Sequence, residues 1–256
     1  MYEKVSEREL KISEIFNIAF EIFKQNIKPI FLITLISYAF LAGVALLHST
    51  IASDVNSWIF ILSSIIFFSV SFIAPLVPAA LTTIISKKTI DEEEVLLGDI
   101  MGFFKKIPKF FVTLLLYAAC LFPLILPFVV AILVMAEAGT YTSLYVTILF
   151  FLVAIIYIAV SFYFLTNIVA VTDKWGFSAL KESFRLVKGK WFKTFIFIIL
   201  SSLFVLMFDG NLAGFGAGTF QIVVGSLISA LAGGFFVTAQ CVWFLNRVRS
   251  SNVERE

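Results

Sequence analysis

Six stretches of this chain are apolar enough to cross a bilayer, and every positive charge falls in alternate gaps between them. The stretches lie at about 29–48, 58–85, 110–135, 144–171, 192–208 and 222–245. A hydrocarbon core about 30 Å thick takes roughly 20 residues of helix to span. Helix is the form these stretches must adopt, because it satisfies every backbone N–H and C=O within one segment. The expected fold is therefore an all-α membrane protein with six transmembrane helices. Composition excludes the alternative: with 14% charged residues, 31 Phe and a mean hydropathy of +1.03, the chain lacks the polar surface of a soluble 256-residue domain.

The cations give sidedness, since Lys and Arg beside membrane segments are retained in the cytoplasm. Lys4, Arg8, Lys11, Lys24 and Lys28 precede the first stretch, and Lys87, Lys88, Lys105, Lys106 and Lys109 separate the second from the third. Lys174, Lys181, Arg185, Lys188, Lys190 and Lys193 separate the fourth from the fifth, and Arg247, Arg249 and Arg255 follow the sixth, which accounts for all nineteen. The other gaps carry only Asp54, Glu137 and Asp209. The reading is a single multi-pass domain, 1–256, in a bacterial cytoplasmic membrane with both termini cytoplasmic. The opening "MYEKVSEREL" offers no leader pattern, and the first span is expected to stay attached. A basic face on one side of the bilayer makes anionic membrane lipids the expected partners, and no nucleic acid.

The odd-numbered spans are introduced alike, by "IAFEIFKQNIKPIF", "DIMGFFKKIPKFF" and "ESFRLVKGKWFKTF". Each has an apolar-rich helical stretch, a Lys at 24, 105 or 188, a helix-stopping residue (Asn26, Pro108, Gly189) and another Lys before the span. Offsets of 81 and 83 residues between those lysines predict three tandem units, 1–86, 87–171 and 172–256. Each unit is a cytoplasmic amphipathic helix followed by a transmembrane hairpin, which makes the repeats parallel and not inverted.

Local signals support the amphipathic helices. Ser6 with Glu9, and Thr89 with Glu92, have capping-box spacing, and "DEEE" at 91–94 is expected at a helix N-terminus, where the dipole favours acid. A metal site there would lack His or Cys partners. Ile15, Ile18 and Ile22 beside Phe16, Phe20 and Phe23 form an apolar face expected at the bilayer interface, and Phe177, Leu180, Phe184 and Val187 repeat that pattern. The second face could equally dock a cytoplasmic protein.

Within the spans there is little chemistry. Asp, Glu, Lys and Arg all lie in loops, tails or interfaces, which argues against a proton-coupled pump or an enzyme with a buried carboxylate. No nucleophile and base, metal-ligand spacing or phosphate loop is visible, so neither catalysis nor a cofactor is expected. His48 reads as an interfacial residue, and Cys120 and Cys241 as small buried hydrophobes. Asn167 and Gln240 suit cross-helix hydrogen bonding or a polar passage. Pro75, Pro78, Pro123 and Pro127 bend the second and third spans, shaping the bundle or enclosing a cavity or hinge. Ser226, Ala230, Gly234 and Thr238 let the last span pack closely within the bundle or in a homo-oligomer.

At "VTDKWGFSALKESFRL" the sequence resembles the YciC-like family of bacterial inner-membrane proteins, and more loosely the membrane domains of some glycerophosphoryl diester phosphodiesterases. Asp173, Gly176, Ala179, Ser183, Arg185 and Leu186 carry the resemblance. It implies six spans and no established activity, and the phosphodiesterase catalytic domain is absent from this sequence. The functional expectation is a non-enzymatic, lipid-interacting or membrane-organising protein. Lys24, Lys28, Lys105, Lys106, Lys109, Arg185, Lys188, Lys190 and Lys193 would form its anionic-lipid or partner surface. The alternative is a transporter or permease component for a hydrophobic or zwitterionic molecule, built on the proline-bent spans.

Overall fold

The computed structural model describes residues 8–51, 63–64, 67, 76–137, 141–212 and 219–253, and among them it is helical without strands. The helices are α1 (Ile12–Gln25), α2 (Ile27–Ile51), α3 (Leu76–Ile90), α4 (Leu97–Phe104), α5 (Ile107–Glu137), α6 (Tyr141–Ser161), α7 (Leu165–Val171), α8 (Phe177–Val187), α9 (Trp191–Leu212) and α10 (Thr219–Val253). Among the described residues three segments are long and apolar enough to cross a membrane: Ile107–Ile132, Tyr145–Val171 and Leu227–Ser250. They correspond to the third, fourth and sixth apolar stretches. Shorter apolar helical segments at Ile27–Ser37 and Trp191–Leu203 fall on the first and fifth. Much of the second, with Pro75, lies outside the described residues, as do Ser6 and Asp54.

Each of the short helices α1, α4 and α8 ends at a break, and a longer apolar helix starts directly after it. Asn26 caps α1, its N–H donating to the Ile22 and Phe23 carbonyls, and α2 follows. Gly189 at φ +82° follows α8, a left-handed stop that costs glycine nothing. At the middle joint the turn falls on Lys105 and Lys106, and Pro108 stands in the first turn of α5. Its missing N–H would be unbonded there in any residue, so Pro108 starts the second helix and does not stop the first.

The chain divides into two compact units, Met1–Phe103 with Ile199–Glu256, and Phe104–Ile198. In the first, α1, α2 and α3 pack on α10. Ile15, Ile18, Ala19, Ile22 and Phe23 of α1 are buried, and the Phe16 ring lies 6.1 Å from both Phe235 and Phe236. The α1 face expected at the bilayer interface is thus covered by protein, with Phe20 left exposed. Periodicity identifies an apolar face but not what covers it. Gly234 permits the approach: a Cβ there would stand 2.7 Å from Ile30 Cγ2 and 3.3 Å from the Phe23 ring. His48 is half-buried and stacks on Phe67, ring centroids 4.7 Å apart.

The acidic run does not begin a helix. α3 continues through Thr89, whose hydroxyl donates to the Ile85 carbonyl at 2.9 Å and accepts from Asn26 Nδ2 at 3.0 Å. With that hydroxyl engaged, the chain turns at Asp91–Glu92, Glu92 taking φ +59°. α4 begins later, where the Asp99 carboxylate accepts from the Leu96 N–H at 2.9 Å.

In the second unit α5 packs on α6, with Phe128 stacked on Phe151 and Tyr117 edge-on to Phe162 at 5.5 Å. α8 packs against α5, α6 and α7. Among its described residues α5 is buried only at Phe110 and Thr113. Pro123 and Pro127, inside α5, are exposed, and so is Cys120, expected to be buried; Cys241 is buried.

Candidate functional site

Near the basic helix ends, the cations among the described residues separate into those held in ion pairs and those that are not. In the first unit, Arg8 pairs with Glu14 at 2.5 Å, and the Glu14 carboxylate also accepts the Lys11 N–H at 2.8 Å, opening α1. That backbone bond, with the Arg8 guanidinium, holds Glu14 below the usual carboxylate range. Lys88 reaches Asp99 at 2.9 Å and Glu93 at 3.4 Å, which lowers Asp99 and raises Lys88. Asp91 takes Arg249 at 2.7 Å and Lys87 at 3.6 Å. Lys24 and Lys28, either side of the α1–α2 break, are exposed and have no ion-pair partner among the described residues. The break itself is fixed by Asn26 Nδ2, which donates to Ile22 O and Thr89 Oγ1, both at 3.0 Å.

In the second unit the adjacent lysines of the middle joint differ. Lys105 is exposed, whereas Lys106 Nζ donates to the carbonyls of Ala170 at 3.0 Å and Thr172 at 3.3 Å. Those carbonyls close α7, so an ammonium there caps the negative end of the helix. Lys109 is half-buried. Two further bonds fix the stretch that follows. Thr113 Oγ1 accepts the Gly176 N–H at 2.8 Å while donating to the Lys109 carbonyl, and Ser183 Oγ donates to the Ser161 carbonyl at 3.1 Å. Gly176 sits at φ +59°, ψ −137°, a region essentially confined to glycine.

The residues singled out from this stretch of sequence take the following places. Gly176 makes the turn into α8, Ala179, Ser183 and Leu186 form its buried side, and Arg185 pairs with Glu182. Lys174 takes the other Glu182 oxygen at 3.0 Å. Asp173 is exposed. At the third joint Lys188 is exposed and Lys190 and Lys193 half-buried. Trp191 stacks between Tyr157 and Phe195, ring centroids 5.9 and 5.2 Å apart.

The span amides belong to separate units. Asn167, in α7, is buried, and Gln240, in α10, is half-buried. Pro78 is buried in α3. Among the described residues no three His, Cys, Asp or Glu side chains gather as a metal site. The partners Thr113 and Ser161 carry no sequence signal, because a span hydroxyl bonds the carbonyl four residues back by default. Both also make that local bond, Thr113 to Lys109 and Ser161 to Tyr157.

No curated protein and no solved structure matches the chain. The family model described as Domain of unknown function (DUF7847) matches residues 10–246, from two residues before α1 far into α10, and the chain belongs to that family.

Proposed function

We propose that this is a six-span protein of a bacterial cytoplasmic membrane, built from three tandem units with both termini cytoplasmic, that engages anionic lipid and organises the membrane around it without catalysing a reaction. The observation that supports this most is the recurring joint: a short helix, a break with lysines at or beside it, and a longer apolar helix, at residues 24–28, 105–109 and 188–193. Cations held at the mouth of a hydrophobic helix meet phosphate without entering the hydrocarbon. Lys24, Lys28, Lys105, Lys109, Lys188, Lys190 and Lys193 are the cations of this surface, with Lys106 as an internal brace.

Mass spectrometry of the gently extracted protein tests the reading. Anionic phospholipid should be retained above its share of the parent membrane, and Lys→Gln changes at all three joints should remove the excess. Retention in bulk proportions by the unaltered protein would overturn it.

A further inference from the structure

α8 presents one row that neither water nor hydrocarbon would accommodate alone. Phe177, Lys181, Phe184 and Lys188 follow at spacings of four, three and four, which at about 100° per residue keeps them within about 60° of one another. All four are exposed, Phe177 at 69% and Phe184 at 42%. The row differs from the face that periodicity alone suggests, because Leu180 and Val187 turn inward and are buried.

Charge on the helix is also sorted. Glu182, the one acidic residue of α8, is taken by Lys174 and Arg185. Lys181 and Lys188 have no ion-pair partner among the described residues. Two uncompensated ammonium groups therefore alternate with two exposed rings along one line. The rings reject water and the ammoniums reject hydrocarbon, so the medium that suits the row is the boundary between phosphates and acyl chains. Trp191, three residues past Lys188 and stacked with Tyr157, adds the amphipathic aromatics typical of that depth.

We propose that this row is a binding surface for anionic phospholipid, with Phe177 and Phe184 seated at the acyl boundary and Lys181 and Lys188 on headgroup phosphates. The two lysines are seven residues apart, about 10 Å along the axis, so each serves its own phosphate. The surface is preorganised: the Ser183 bond to Ser161 and the Gly176 bond to Thr113 fix the opposite side of the helix. A free amphipathic peptide would have to order itself on binding, whereas α8 is already set. The proposal rests on the lipid-engaging reading and narrows it to a row that includes Lys181, a residue outside the three joints.

The test uses the full-length protein in nanodiscs of phosphatidylcholine containing a minority of spin-labelled phosphatidylglycerol, reading protein-bound label. A Lys181→Gln/Lys188→Gln variant should lose anionic preference by about fivefold for each lysine. Lys181→Arg/Lys188→Arg should retain it, and Phe177→Ala/Phe184→Ala should release zwitterionic and anionic label alike. Unchanged melting by circular dichroism confirms that these surface variants fold. If Lys24→Gln/Lys28→Gln abolishes the preference while Lys181→Gln/Lys188→Gln leaves it intact, the row is refuted and the broader reading survives. If the unaltered protein shows no anionic preference, both fall.

Discussion

Helix α10 in the first unit and helix α5 in the second are both apolar enough to span a membrane, yet α10 is buried along much of its apolar stretch and α5 only at Phe110 and Thr113 among its described residues. α10 is the hub on which α1, α2 and α3 pack, whereas α5 shows most of its surface to whatever surrounds the protein. Their polar ties differ accordingly. The first unit is closed by bonds between residues far apart in sequence: Leu10 N–H to Asn246 Oδ1 at 3.2 Å, Asn246 Nδ2 to the Arg8 carbonyl at 2.8 Å, and Arg249 to Asp91. In the second, Lys106, Thr113 and Ser183 gather at the α7–α8 stretch. Close packing organises the one, and a set of bonds around a surface helix organises the other.

Substitutions that act on one mechanism and spare the other should separate them. The largest effect is expected from Gly234→Val, whose Cβ would overlap Ile30 and whose added methyls have no space beside Phe23. Overpacking of this kind costs about 3 kcal/mol. Thermal unfolding in detergent should shift sharply downward, and amide exchange should speed up in α1, α2 and α10 before α8.

Gly176→Ala comes next. At φ +59°, ψ −137° a side chain costs about 2 kcal/mol, and the N–H to Thr113 is displaced. Exchange should rise at the start of α8 while α1 and α10 keep their protection; equal loss in both regions would erase the distinction. Lys106→Met should be milder, about 1.5 kcal/mol for the charged bonds to Ala170 and Thr172. It should fray the end of α7 without altering lipid preference, and a large change in lipid preference would return Lys106 to the lipid surface.

The smallest effect is a pH response at α4. Lys88, then the Leu96 N–H, lowers the folded-state pKa of Asp99, so this bond contributes above the unfolded carboxylate value and fades as pH falls through the lower folded one. Protection of the Leu96 amide should hold from pH 8 to about pH 5 and fall only below about pH 4. Asp99→Asn should remove the acid limb. A change centred near neutral pH would mean that another group governs this turn.

What the sequence disclosed follows from the range of each force. Apolar stretches long enough to span, and the breaks at Asn26 and Gly189, are local properties, and among the described residues three such helical segments and both stops agree with them. The cover over α1 depends on Phe235 and Phe236, more than 200 residues along the chain, and amphipathicity could not reveal it. Lys105 and Lys106 are chemically identical neighbours. In the turn between α4 and α5 one stands outside and the other on a helix end, and only the fold chooses between them. The row on α8 was half legible: the spacing of Phe177 and Phe184 was visible, but that Leu180 and Val187 leave it for the interior was not.

The central claim, that the three basic joints share one membrane face, is tested most directly by cysteine accessibility in intact cells. In a Cys120→Ser/Cys241→Ser background, single Lys28→Cys, Lys105→Cys and Lys188→Cys substitutions should resist a membrane-impermeant thiol reagent until the cytoplasm is opened. Asp54→Cys and Glu137→Cys should react from outside. Labelling of any joint lysine position together with Asp54 and Glu137 would contradict both the tandem units and the surface built on them.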